Sequence, residues 1–222
     1  MADQHAVTAA ARPTVAVAGS GLRFPVRRIF CVGRNYPEHA REMGATNLHA
    51  PPFFFSKPAD AVVASGSVVA FPSRTSDLHH EIELVAALGD GGEVFGYAVG
   101  NDLTRRDLQA LAKKEGKPWD TAKGFDHSAP VTPIVRAAEV GPLSRGRIWL
   151  EVNGALRQEG DIGDMIWSVP EILKELSSWF ALRPGDLVFT GTPAGVGRLE
   201  PGDRVRGGVD GIAILEHTMG PA

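Results

Sequence analysis

Glu81 and Glu83 stand two residues apart in the stretch His79-His80-Glu81-Ile82-Glu83-Leu84. On a strand, period two puts both carboxylates on one face. Ile82, Leu84 and Ala86 fall on the other face, and Val85 and Ala87 are apolar too, so the strand should be covered on both sides. Two carboxylates side by side in a covered place repel each other and lose hydration, and a divalent cation relieves both costs. Taken alone, the pair reads more simply as two surface glutamates on a solvated edge strand. Asp102 shifts that balance, because it ends the next apolar run, Gly96 to Gly100. Three carboxylates without cysteine suit a hard cation with oxygen ligands, Mg²⁺ first and Mn²⁺ second. Adjacent on a strand, His79 and His80 face opposite ways and read as packing or supporting residues.

A second constellation lies upstream. Pro37 to Gly44 predicts a short helix with proline in its first turn and glycine at its stop. His39 and Glu42 share one face of it at i,i+3. A carboxylate beside an imidazole fixes its tautomer and raises its basicity, which makes a general base for water. By itself such a pair is equally an exposed surface contact. Lys123 sits in an expected loop, TAKGFDHSAP, where it could neutralise a developing oxyanion. Arg106 and Gln109 repeat the i,i+3 spacing on a predicted helix from Thr104 to Lys114 and could hold a substrate carboxylate or carbonyl. Gly191 to Gly197 follows a strand but lacks the Lys-Ser/Thr of a phosphate loop, so it reads as a tight turn whose backbone approaches the site. Cys31, in an apolar strand, reads as an inert core thiol.

Many short strands must position these groups. The 222 residues include 26 Gly and 16 Pro, a turn-rich composition that argues against a helix bundle. Apolar residues at 43% and charged residues at 22% exclude disorder, and a net charge of −3 excludes a strongly basic nucleic-acid binder. Strands are expected at Thr14–Ala18, Val26–Val32, Pro51–Lys57, Ala61–Val69, Glu81–Leu88, Gly96–Gly100 and Leu187–Thr190. A hairpin is expected over 149–158 around Asn153-Gly154. Leu108, Leu111 and Ala112 form the apolar stripe of the 104–114 helix. A third helix runs over 168–180, with Ser168 and Glu171 as a capping box. The fold class is α+β and β-rich, with residues 1–22 as a tail and short strand ahead of a single catalytic domain over 23–222. One cysteine, no long apolar run and an N-terminus without a basic start place the chain in the cytoplasm as an expectation.

Seven segments, in order, resemble the fumarylacetoacetate hydrolase family: CVGRNYPEHAREMG, FFFSKPADAVV, HHEIEL, GNDLTRRDLQ, KPWDTAKGFDHSAPV, VNGALRQEGDIGDMIWSVPEIL and PGDLVFTGTPAGVG. The similarity runs from about Arg23 almost to the C-terminus. Within the family, RFPVRRIFCVGRNYPEHAREMG and PPFFFSKPADA look most like members that hydrolyse fumarylpyruvate in gentisate degradation. The resemblance implies a mixed β-sandwich roll, a homodimer, and Mg²⁺ or Mn²⁺ on Glu81, Glu83 and Asp102. It implies that His39 and Glu42 activate water, that Lys123 stabilises the oxyanion, and that Arg106, Gln109 and Thr192 touch substrate. Arg34 and Arg41 are the candidates for a distal carboxylate. The family usually has a longer, helical connection where this chain has only Gly89 to Phe95, so a lost helix or a missing piece is expected there.

The implied chemistry is hydrolysis of a carbon–carbon bond in a 2,4-diketo acid, fumarylpyruvate giving fumarate and pyruvate. Rivals are an acylpyruvate hydrolase, a decarboxylase of oxaloacetate or another 2-oxo acid on the same metal site, and a non-catalytic metal-stabilised scaffold. Neither nucleic acid nor membrane is an expected partner.

Overall fold

The computed structural model describes residues 6–8, 10–44, 47, 50–141 and 143–221. An eight-stranded mixed sheet runs in the order Phe53–Lys57, Arg28–Gly33, Asp186–Phe189, Ile82–Leu88, Val94–Asn101, Ala129–Val131, Val62–Ala64, with Val135–Arg136 added beside Val94–Asn101. A five-stranded sheet packs on it, ordered Ala155–Asp161, Arg147–Val152, Arg204–Val209, Ala213–Met219, Val68–Val69. A three-stranded sheet of Thr104–Arg105, Leu78–His80 and Gly197–Leu199 closes one end. This is the expected β-sandwich roll. Among the described residues no helix is long and apolar enough to cross a membrane.

All seven residues of Ile82–Leu88 are buried. Ile82, Leu84, Ala86 and Leu88 join a core with Ile148, Leu150, Ile172 and Val205, between the two large sheets. Val85 and Ala87 join a second core with Ile29, Cys31, Leu187 and Phe189. The strand is therefore the wall between two cores, which is why it reads as a nearly continuous apolar run. Glu83 within it and Glu81 just ahead of it are the exceptions, at the end where the cores give way to the site.

Five helices are described: α1 (Pro37–Glu42), α2 (Arg106–Glu115), α3 (Asp120–Lys123), α4 (Ala137–Val140) and α5 (Val169–Trp179). The expected α5 capping box is present: the Ser168 amide donates to Glu171 Oε2 at 2.8 Å. Asn153 and Gly154 both take positive φ, 54° and 79°, as the hairpin turn demands.

Several expectations need correction. The 61–69 run is not one strand, because Ser65-Gly66-Ser67 turns it, with Gly66 at φ 87°, and sends Val62–Ala64 and Val68–Val69 to different sheets. Of the expected α2 stripe Ala112 is buried but Leu111 is half exposed, and Gln109 is buried in its place, because the inward face meets a polar cleft. Lys123 ends helix α3 rather than lying in a loop. The short connection after Leu88 is a direct hairpin closed by a 3₁₀ turn over Asp90–Gly92, with Leu88 opposite Val94. Of the expected tail, residues 1–5 and 9 lie outside the described residues. Thr14–Ala16 pairs with Arg23–Pro25, and Val15 and Val17 enter the second core.

Asn35 is a fully buried strut just ahead of α1. Its Nδ2 donates to the Thr190 carbonyl at 2.8 Å and the Trp167 carbonyl at 2.9 Å, and its Oδ1 accepts from the Trp167 amide at 2.8 Å. Truncation leaves three backbone groups unpaired. Asn35→Ala is expected to lose about 2–4 kcal/mol in urea unfolding; a midpoint equal to the parent's would show that the strut is dispensable.

Candidate active site

Glu81 sits at the break between Leu78–His80 and Ile82–Leu88, so the main strand begins one residue later than expected. The Glu81 amide donates to Asn101 Oδ1 at 2.8 Å, and the Asp102 amide to the Glu81 carbonyl at 2.8 Å. These bonds hold Glu81 beside the end of Val94–Asn101 and bring its carboxylate to those of Glu83 and Asp102. One oxygen from each of the three lies within 4.8 Å of the others, and all three residues are buried.

Cations from three other elements surround this triad. Lys123 Nζ donates to Glu81 Oε2 at 2.8 Å and Asp102 Oδ2 at 2.6 Å. Arg106 Nη2 pairs with Glu81 Oε1. Lys57, at the end of Phe53–Lys57, lies 2.7 Å from Asp102 Oδ1 and donates to the carbonyls of Leu103, at 3.1 Å, and Lys123. No side-chain cation among the described residues pairs with Glu83. Its Oε2 accepts one bond, from the Gly191 amide at 2.7 Å. Gly191 has φ 97°, and a Cβ there would stand 2.7 Å from Asn35 Cβ, so the close backbone approach requires glycine.

Protonation follows from these partners. Burial alone would raise the Glu81 carboxyl, but Lys123 and then Arg106 more than offset it and hold it well below the usual range. Glu83 goes the other way: burial, then Asp102 and Glu81, push it well above. Burial pulls Lys57 below its ordinary value, with Asp102 opposing, whereas Asp102 and Glu81 overcome burial at Lys123 and raise it. Of the three carboxylates, Glu83 is the one that no side chain among the described residues pairs with. Three oxygen donors, all anionic when ionised, within bonding reach of a common point fit Mg²⁺ or Mn²⁺. Glu81, Glu83 and Asp102 would hold the ion, each through a carboxylate oxygen.

The cleft above the triad is lined by Arg34, His39, Glu81, Glu83, Arg106, Gln109, Lys123 and Thr192, eight of the ten residues marked in the sequence. Glu42 stands behind His39, its Oε2 3.0 Å from His39 Nδ1, and Asp102 lies beneath Lys123. The Gly195 amide reaches Glu42 Oε1 at 3.4 Å, so the 191–197 turn supports both the dyad and Glu83. Arg41 faces a different cavity, beside Glu38 and Asp164. Cys31 is fully buried and its thiol is pushed up by burial, as befits an inert core residue.

Sequence reasoning missed Lys57, Lys113 and Trp119. Lys57 is signalled only as the one charge that ends an apolar strand. His80 is the buried support it expected, but it missed the partners Gln158, Asn101 and His217. His80 Nδ1 lies 2.8 Å from Gln158 Oε1, and Gln158 Nε2 donates to Thr192 Oγ1 at 2.8 Å. Asn101 Nδ2 lies 3.0 Å from His217 Nε2.

Fold and site together define a class: a β-rich roll that buries an acidic metal-type triad beside a His–Glu dyad. The chain belongs to the fumarylacetoacetate hydrolase family, whose FAA hydrolase C-terminal domain is matched over residues 28–219. It is 44% identical over 180 residues to a fumarylpyruvate hydrolase of Ralstonia sp, covering 77% of this chain and 93% of that one. It is 43% identical over 203 residues to the mitochondrial oxaloacetate tautomerase FAHD1 of Mus musculus, covering 87% and 91%. Among solved structures, it is similar to the fumarylpyruvate hydrolase of Pseudomonas aeruginosa in complex with Mn²⁺ and pyruvate, with 49% identity, a TM-score of 0.96, and coverage of 99% of this chain and 100% of that one.

Burial depresses His80 and His217 to about 4. The unfolded chain takes up these protons near pH 6.5, the native state only near 4. The stability they contribute is therefore present above about 6.5 and lost as pH falls towards 4, at up to about 1.4 kcal/mol per pH unit for each. Urea midpoints across that range should fall accordingly, and less steeply in His217→Gln. A profile unchanged by that substitution would contradict the assignment.

Proposed function

We propose that this chain is a metal-dependent hydrolase of 2,4-diketo acids and that its substrate is fumarylpyruvate, cleaved to fumarate and pyruvate. The observation that carries the reading is His39, backed by Glu42, lining the same cleft as Glu81 and Glu83 of the acidic triad. A metal site alone would serve enolate chemistry of many kinds. A general base beside it supplies what hydrolysis needs, an activated water.

When bound by Glu81, Glu83 and Asp102, the cation supplies Lewis acidity for the 2-oxo carboxylate end and charge stabilisation for the leaving pyruvate carbanion. The side chains do the rest. With its Nδ1–H donating a hydrogen bond to Glu42, neutral His39 presents Nε2 as the base. Nε2 takes a proton from water as the water oxygen bonds C4 of the substrate. Lys123 offsets the negative charge that develops on the C4 oxygen. Arg106, Gln109 and Thr192 orient the diketone. The C3–C4 bond then breaks, its electron pair stays with the pyruvate fragment, and the proton on His39 returns to C3. Lys57, Lys123 and Arg106 balance the three carboxylates, so a dication would leave the centre positive, which suits a dianionic substrate.

The 43% identity to an oxaloacetate tautomerase supports a second reading, in which the same site handles the enolate of oxaloacetate without hydrolysis. An ultraviolet assay of fumarylpyruvate, with oxaloacetate in parallel, separates the two. Expected are metal-dependent loss of fumarylpyruvate, equal yields of fumarate and pyruvate, and no activity in chelator. His39→Ala should lose about 10²–10⁴-fold in kcat and still bind metal. Full activity in His39→Ala, or turnover of oxaloacetate alone, would overturn the hydrolytic assignment.

A further inference from the structure

Helix α2 carries Arg106, Gln109 and Lys113 at i, i+3 and i+7, and all three line the cleft. The inner two are occupied: Arg106 pairs with Glu81, and its Nη1 donates to Gln109 Oε1 at 2.7 Å. Seven residues at about 1.5 Å each put Lys113 about 10 Å farther along the axis. That is the reach of an extended seven-carbon diacid plus one ion-pair contact.

Lys113 is an exposed cation at the rim of the cleft, with Arg34, Arg106 and Lys123 as its cationic neighbours and Glu81 as the nearest opposing charge. No acidic side chain among the described residues forms an ion pair with it. Its Nζ lies 5.1 Å from the centre of the Trp119 ring. Burial first, then Arg34 and Arg106, bring its pKa down to about 8. Arg34 faces the same space. It holds a left-handed backbone, φ 60°, which a residue with a Cβ adopts at a cost. Its guanidinium forms no ion pair with a described residue. Gly33, Arg34 and Trp119 line both the cleft and the adjoining cavity formed with Phe53 and Trp167, so Arg34 stands where the two meet. Both are exposed and neither forms an ion pair with a described residue, so beside the Trp119 ring they present positive charge to whatever ligand fills the cleft.

We propose that Arg34 and Lys113 form the subsite for a second, distal carboxylate of the substrate, and that they select diketo diacids over acylpyruvates that end in an alkyl group. The proposal rests on the diketo-acid reading above and extends it to the far end of the substrate. Trp119 would lie against the unsaturated carbons between the two ends, and Arg41, turned to another cavity, has no part in it.

The test is a selectivity ratio, kcat/KM for fumarylpyruvate over that for acetylpyruvate, which lacks the distal carboxylate. In Lys113→Met and Arg34→Gln the ratio should fall at least about tenfold, chiefly through a higher KM for fumarylpyruvate. Arg34→Lys, which keeps the charge, should retain most of it. Thermal melts identify any variant that fails to fold. A ratio within about twofold of the parent's in both variants, or a parent that prefers acetylpyruvate, would overturn the subsite. If the parent turns over neither compound, the hydrolytic reading fails separately. The subsite is then read by calorimetry with fumarate: binding that both variants lose supports it, and binding that is absent or unchanged overturns it.

Discussion

Three carboxylates converge on one buried point, and most of the surrounding structure follows from the need to neutralise them. Moving a carboxylate out of water costs several kcal/mol even after relaxation, and three together also repel. The chain answers with cations drawn from separate elements: Lys57 from a sheet edge, Arg106 from α2 and Lys123 from α3. They are placed unevenly. Glu81 and Asp102 are paired, whereas Glu83 receives only a backbone amide. That asymmetry leaves Glu83 without a side-chain cation, at a point where a divalent cation held by all three carboxylates would complete its neutralisation.

The same constraint explains the rigidity beneath the cleft. A carboxylate held by one amide needs that amide fixed, and the Gly191 turn is locked against Asn35, which is itself locked to Thr190 and Trp167. Gln158 braces Thr192 from below and accepts the Ile82 amide at 3.1 Å. His79 accepts from Arg106 Nε at 3.3 Å and lies 2.9 Å from Asp77 Oδ1. Side chains at the floor are thus oriented by buried polar groups, and those at the rim, Arg34 and Lys113, are not.

Legibility in the sequence divided along the same line. Period-two spacing identified Glu81 and Glu83, and the i,i+3 spacing of His39 with Glu42 and of Arg106 with Gln109 survived in α1 and α2, because local periodicity decides which residues share a face. Asp102 was legible as the end of the next apolar run, whereas the convergence of Lys123 and the His39–Glu42 pair on the triad was legible only through the family resemblance, since no local signal brings those segments together. Lys57 escaped because a lysine ending an apolar run looks like an ordinary strand terminus. Leu111 misled because α2 turns a polar stripe, not an apolar one, towards the interior. The break at Ser65-Gly66-Ser67 was present as turn chemistry, but the apolar residues on both sides masked it.

The claim on which the rest stands is that the triad takes a divalent cation and that Glu83 completes it. Calorimetric titration of the chelator-treated protein with Mn²⁺ tests it directly, run beside Glu83→Gln, which keeps the side chain's shape but not its charge. The account predicts one Mn²⁺ per chain for the parent and affinity at least about tenfold weaker for the variant. A parent that takes up no Mn²⁺, or a variant that binds it equally well, would contradict it.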